Sequence, residues 1–62
     1  MKIISLNDAD YNRKHYVNAN NILRWYGFRE RGKLLFTVVI LMVGDSLEVS
    51  ETPEEIKFLI EE

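Results

Sequence analysis

The residues best suited to chemistry lie together, in Arg24-Trp25-Tyr26-Gly27-Phe28-Arg29-Glu30-Arg31-Gly32-Lys33. Four bases and three aromatics in ten positions make a contact surface, not a reaction centre. In a strand, side chains alternate between faces. Arg24, Tyr26 and Phe28 then share one face, and Leu23 and Trp25 the other. Aromatic side chains beside Arg and Lys are what single-strand nucleic-acid binders use to stack bases and follow phosphates. Tyr, Trp and Arg are also the types enriched at the energetic centres of protein interfaces. The candidate partner-binding residues are therefore Arg24, Tyr26, Phe28, Arg29, Arg31 and Lys33. A structural account competes with this one: Trp25 fills the core and a charged hairpin tip keeps a sheet edge soluble.

Other chemistry is sparsely represented. His15 is the only histidine, and no carboxylate or second histidine stands at a catalytic spacing from it. It reads as an exposed strand residue. Asn7, Asp8 and Asp10 suggest calcium, but a calcium loop needs a central Gly and a terminal bidentate Glu, and the Gly is missing. These residues fit turn chemistry instead, because Asn and Asp bond their own backbone. Ser46 and Ser50 lack a nucleophile-elbow context. With no cysteine there is neither a disulfide framework nor a thiolate metal site. The reading is a non-enzyme without cofactor or metal.

The elements that must position these residues are clearest from Leu34 to Ile60. Leu34 to Val43 is β-branched and aromatic, without Gly, Pro or charge, and predicts a strand. Its near-continuous hydrophobicity implies that both faces are covered, one of them by the rest of the chain or by a second subunit. Gly44-Asp45 predicts a two-residue hairpin turn. Ser46 to Ser50 alternates and predicts a half-exposed strand with Leu47 and Val49 on one face. Thr52-Pro53-Glu54-Glu55 has capping-box spacing, with Pro at the first helical position. Ile56, Leu59 and Ile60 form one apolar stripe, and Phe58 falls off it.

Earlier in the chain, Lys2 to Leu6 predicts a strand with Ile4 and Leu6 on one face. His15 to Val17 predicts a second. Asn18 caps a single helical turn, and Ile22 to Tyr26 predicts a third strand. Gly27 predicts a bulge or bend. Phe28 to Lys33 predicts a charged hairpin tip with Gly32 at positive φ. The expected fold is a single α+β domain over residues 1–62. It is a curved antiparallel β-meander of four to five strands, with one C-terminal α-helix packed on it from about Pro53 to Glu61.

Sixty-two residues give a marginal core, and domains of this size often lean on disulfides, metals or oligomerisation. Self-association is the support left to this chain. Its net charge of −2 is unevenly placed. Residues 1–44 hold seven bases against three acids, and residues 45–62 hold seven acids against Lys57. That division could attract the two halves to each other or to a second copy, or steer a charged partner, but a solvated acidic helix beside a mildly basic sheet is the favoured reading over steering. The overall acidity argues against nucleic acid. No apolar stretch has the length of a signal peptide or of a membrane span, so no membrane insertion and a cytoplasmic location are expected.

The stretches Val17-Asn18-Ala19-Asn20-Asn21-Ile22, Thr37-Val38-Val39-Ile40-Leu41 and Gly44 to Ile56 together resemble a group of short proteins. That group includes the FlbD-like flagellar and swarming-motility family and related phage and bacterial proteins. The shared pattern is an apolar residue before Asn and Ile four residues after it. A Thr-led apolar strand, a turn Gly, an apolar-x-Val strand and Glu-x-x-Glu-Glu opening a helix complete it. The loop Asn7 to Lys14 is longer than the Leu-Asn-Gly turn typical of the flagellar members, and Trp25 to Lys33 reads as an insertion. The resemblance implies the fold more than an activity, and it brings no catalytic residues. The expected function is a small, self-associating interaction or accessory protein, bacterial or phage-like. The alternative is a single-stranded nucleic-acid-binding module using the hairpin 24–33.

Overall fold

A short polar N-terminal loop separates the first two strands, β1 (Ile3–Asn7) and β2 (Lys14–Asn18), which pair antiparallel with Ile4 opposite Val17 and Leu6 opposite His15. The computed structural model describes all 62 residues, Met1 to Glu62. Next comes a 3-10 turn, Ala19–Asn21, capped by Asn18, whose side chain accepts from the Asn20 amide at 3.0 Å. The chain then runs through β3 (Ile22–Glu30), β4 (Lys33–Leu41) and β5 (Ser46–Val49), a three-stranded antiparallel sheet in the order β3-β4-β5. Helix α1 (Pro53–Glu61) closes the chain.

The architecture is α+β, with five antiparallel strands in a two-stranded and a three-stranded sheet. The two sheets meet at the end of β1. Asp8 bridges Val49, the Ala9 amide donates to the Glu48 carbonyl, and the Ser50 amide donates to the Asn7 carbonyl. Glu51 strengthens the join by accepting from both the backbone and side-chain nitrogens of Asn7, at 2.8–3.1 Å. Between β2 and β3 there is no ladder, because the 3-10 turn redirects the chain there.

The core is small: Ile4, Leu6, Val17, Val39, Val49 and Ile56, with Trp25, Leu47, Leu59 and Ile60 packed around it. Helix α1 is too short to persist alone, and its start is fixed by the full capping box between Thr52 and Glu55. Its N-terminal strap is tied to the inner face of the three-stranded sheet. The buried Thr37 hydroxyl donates to the Glu51 carbonyl, and the Trp25 indole N–H donates to the Pro53 carbonyl at 3.0 Å. Gly27 makes room for this strap. A Cβ there would lie 2.7 Å from Leu34 Cδ1 and 3.3 Å from Pro53 Cγ. At the other end, Lys2 Nζ donates to the Ile60 carbonyl at 3.2 Å, a cation at the negative pole of the helix. No helix is long and apolar enough to cross a membrane.

Several local expectations are corrected. β4 ends at Leu41, not Val43, and the link to β5 is the four-residue loop Met42–Asp45 instead of a two-residue Gly44-Asp45 turn. The Gly44 amide donates to the Leu41 carbonyl and the Leu41 amide to the Asp45 carbonyl, which seals the wider loop. β3 passes straight through Gly27, which pairs with Thr37. The bulges fall instead at Leu23 and Leu35, each left without a cross-strand partner. Leu23 is therefore exposed and does not join Trp25 on the inner face. Phe28, Arg29 and Glu30 stay within the strand, and the hairpin tip is only Arg31-Gly32. Both tip residues have positive φ, 54° and 77°, as a primed two-residue turn requires.

Candidate functional site

Strand pairing decides which side chains share a face. Across the three-stranded sheet, Trp25–Val39–Leu47 and Gly27–Thr37–Val49 form the rungs that face inward, toward α1. The alternate rungs are Arg24–Ile40–Ser46, Tyr26–Val38–Glu48 and Phe28–Phe36, and they face the other way. The Leu23 bulge precedes these rungs and the Leu35 bulge follows them, so the alternation between is unbroken.

This outer face is apolar and open. Phe36, Val38 and Ile40 are half-buried by their neighbours alone. Tyr26 is 44% exposed and Phe28 45%. Phe28 and Phe36 stack across the strands with centroids 4.9 Å apart and planes 17° from parallel. The Arg24 guanidinium sits 5.8 Å from the centroid of the Tyr26 ring, within cation–π range. The face is thus an apolar strip on β4, with aromatics and one arginine along β3 and Ser46 and Glu48 along β5.

The six sequence-derived residues divide. Arg24, Tyr26 and Phe28 come together on the outer face. Arg29 alternates to the opposite side, paired with Leu34, and Arg31 occupies the turn. Lys33 stands across from Glu30, beside that turn. A continuous basic track along the aromatics is therefore absent. Phe36, Val38 and Ile40 belong to the face and were visible only as part of the apolar run.

A second constellation escaped the sequence reading. Asp8 Oδ2 lies 2.9 Å from His15 Nε2 and 3.5 Å from Arg13 Nε, so His15 is half-buried beside a carboxylate instead of exposed without one. Asp8 Oδ1 accepts from the amides of Asp10 and Tyr11 at 2.9 and 3.0 Å. The His15 ring and these two amides, with a lesser contribution from the Arg13 guanidinium, hold the Asp8 carboxyl well below the usual carboxylate range against an opposing effect of burial. Only strand pairing reveals it: the Leu6–His15 register swings Asp8 back over residues 13 to 15. A shallow cleft of about 290 Å³ lies here, bordered by Ser46 and Glu48. Every polar contact of Asp8 fastens the β1–β2 loop, and His15 has no hydrogen-bond partner besides Asp8. The pair therefore works as a loop staple.

Elsewhere, no three His, Asp or Glu side chains are grouped so as to hold a metal ion. Asn7 binds Glu51, and Asp8 binds its own loop, so neither is free for the calcium role considered above. Beside α1, Glu51, Glu54, Glu55, Phe58 and Leu59 line an open cleft of about 360 Å³. No family model, no curated protein and no solved structure matches the chain.

Proposed function

We propose that the chain is a small, non-enzymatic accessory protein of a bacterial or phage cytoplasm, and that it acts by protein contact through the outer face of the three-stranded sheet, self-association included. One observation carries the reading: Tyr26, Phe28, Phe36, Val38 and Ile40 lie side by side on the outer face, with Tyr26 and Phe28 exposed and Phe36, Val38 and Ile40 only half-buried. Contiguous exposed apolar surface marks interaction sites more often than chance. The resemblance to FlbD-like proteins bears on the fold more than on an activity, and no motility role follows from it.

A second reading, single-stranded nucleic acid, is favoured by the Arg24–Tyr26 stack and the exposed Phe28. The rest of the face speaks for protein. Its centre is aliphatic, and Val38 and Ile40 offer no ring to stack on. Glu48 shares the face with Arg24, and Lys33 at the far end is set opposite Glu30, so the cations that phosphates need are offset by acids.

Light scattering on a sizing column at two concentrations tests the reading, with Val38→Lys as the probe. Val38 contributes nothing to the inner core, so the variant keeps its circular dichroism spectrum. The wild type is expected to gain mass with concentration, and Val38→Lys is not. Anisotropy of a labelled single-stranded oligonucleotide at low salt supplies the other arm. Tight binding there, lost on Tyr26→Ala, would replace the protein reading with the second one.

A further inference from the structure

Resting on that reading of the outer face, we infer that its occupant is a second copy of the chain, related by a two-fold axis that runs along β4 and sets Arg24 of each copy against Glu48 of the other. The charges select this geometry. Arg24 lies on β3 and Glu48 on β5, on the same face but on opposite sides of β4. They make no salt bridge within the chain: the ion pairs present are Arg13–Asp8, His15–Asp8 and Lys57–Glu61.

Two sheets packed face to face lie ~10 Å apart, with strands within ~30° of one another. A two-fold along β4 lays β3 of one copy over β5 of the other. Arg24 then comes opposite Glu48 of the second copy, one rung apart, ~7 Å along the strand, an offset that a long arginine side chain spans. By symmetry the contact occurs twice. The central aliphatic strip, Val38 and Ile40, meets its own copy, and the Phe28–Phe36 pair extends the contact at one end. A two-fold across the strands does the opposite. It lays β5 over β5 and sets Glu48 against Glu48, and like charges facing each other act against that arrangement.

The available area fixes the strength. Two nine-residue strands and the four-residue β5, at ~3.3 Å per residue and ~4.8 Å spacing, fill less than a rectangle of about 30 by 14 Å. That is below the ~800 Å² per partner of a standard stable interface. The dimer is therefore weak and dissociates on dilution, and its charged rim decides orientation more than affinity.

The test is complementation between two charge reversals, Arg24→Glu and Glu48→Arg, each followed by sedimentation equilibrium. Either variant alone places like charges at both symmetric contacts, and its dimer is expected to weaken about tenfold. Mixing the two variants makes both contacts attractive again, so the heterodimer returns to near wild-type affinity. The double variant does the same as a homodimer. A wild type that dimerises and is broken by Val38→Lys, but whose two charge variants fail to rescue each other, keeps the outer face and overturns the two-fold along β4. A wild type that stays monomeric at the highest soluble concentration overturns the second copy as occupant. The oligonucleotide measurement above then decides independently whether the face binds anything else.

Discussion

Replacing Thr37 by Val tests how the helix is held to the sheet. Thr37 is fully buried on the central strand, and its hydroxyl donates to the Glu51 carbonyl in the strap that precedes α1. Valine has nearly the same shape and suits a strand at least as well, so packing is preserved and only the donor is lost. The bond itself contributes ~0.5–1.5 kcal/mol, and a carbonyl left unpaired in a dry site costs ~1–3 kcal/mol. Against this, the added methyl gains up to ~0.8 kcal/mol of burial. Glu51 is only half-buried, so water reaches its carbonyl in part. The net loss is then ~1–2 kcal/mol. A chain of this length has a total stability of about 3–9 kcal/mol, so the change is large. Urea unfolding followed by Trp25 emission reads it directly, because the indole donates to Pro53 in the same strap. With a denaturant slope near ~1 kcal/mol/M for a small domain, the midpoint falls by ~1–2 M. A midpoint that stays put or rises at unchanged slope would refute the idea that this hydroxyl fastens the strap. Trp25→Phe, read by circular dichroism, should couple to it. The two bonds hold one three-residue segment, so the double variant loses less than the sum of the singles, by ~0.5 kcal/mol or more.

Two further outcomes follow from single residues. Arg31 occupies a turn position with φ of 54°, a region costly for most L-residues and tolerated by Asn; Arg31→Asn should raise stability by ~1 kcal/mol, or ~4–8 °C in Tm by calorimetry. Asp8 titrates below its ordinary range in the folded chain because of His15 and the loop amides. Its stabilisation is therefore complete above the unfolded value near ~3.9 and is lost as pH falls from there toward the folded value. Asp8→Asn should be less stable than wild type at neutral pH and should show a flatter loss of stability below about pH 4 in chemical denaturation; equal acid slopes would remove Asp8 from the explanation.

How much the sequence disclosed depended on the range of the interaction. The helix from Pro53 to Glu61 was legible to the residue, because Thr52, Pro53 and Glu55 set its start within one turn. The sharing of a face by Arg24, Tyr26 and Phe28 was legible because period-two alternation needs only a continuous strand. What failed depended on partners. The bulges at Leu23 and Leu35 exist only relative to the pairing of β3 with β4, and Gly27 drew the prediction of a bulge because its actual reason, the crowding of Leu34 across the hairpin and of Pro53, 26 positions away, is not local. Met42 and Val43 look like strand, and only the sealing bonds between Leu41 and residues 44 and 45 show that the strand has ended. The Asp8–His15 contact crosses a loop whose geometry follows from the β1–β2 register, and spacing alone carries no trace of it.

The composition of β4 is the point at which folding stops explaining the sequence. Its inner residues, Thr37 and Val39, are buried and serve the core, with Leu41 packed beside them. A strand with one face in water would place polar residues at the alternate positions. This strand places Phe36, Val38 and Ile40 there, and flanks them with Tyr26 and Phe28 on β3. None of the five belongs to the six-residue core: Tyr26 and Phe28 are exposed, and Phe36, Val38 and Ile40 are only half-buried. The same face also carries Arg24 and Glu48 on opposite flanks, unpaired within the chain. An apolar centre with separated opposite charges at its edges is self-complementary under a two-fold, the property an interface between identical copies requires. If a second copy packs on this face as inferred above, association buries what the monomer leaves open, and assembly and folding become linked.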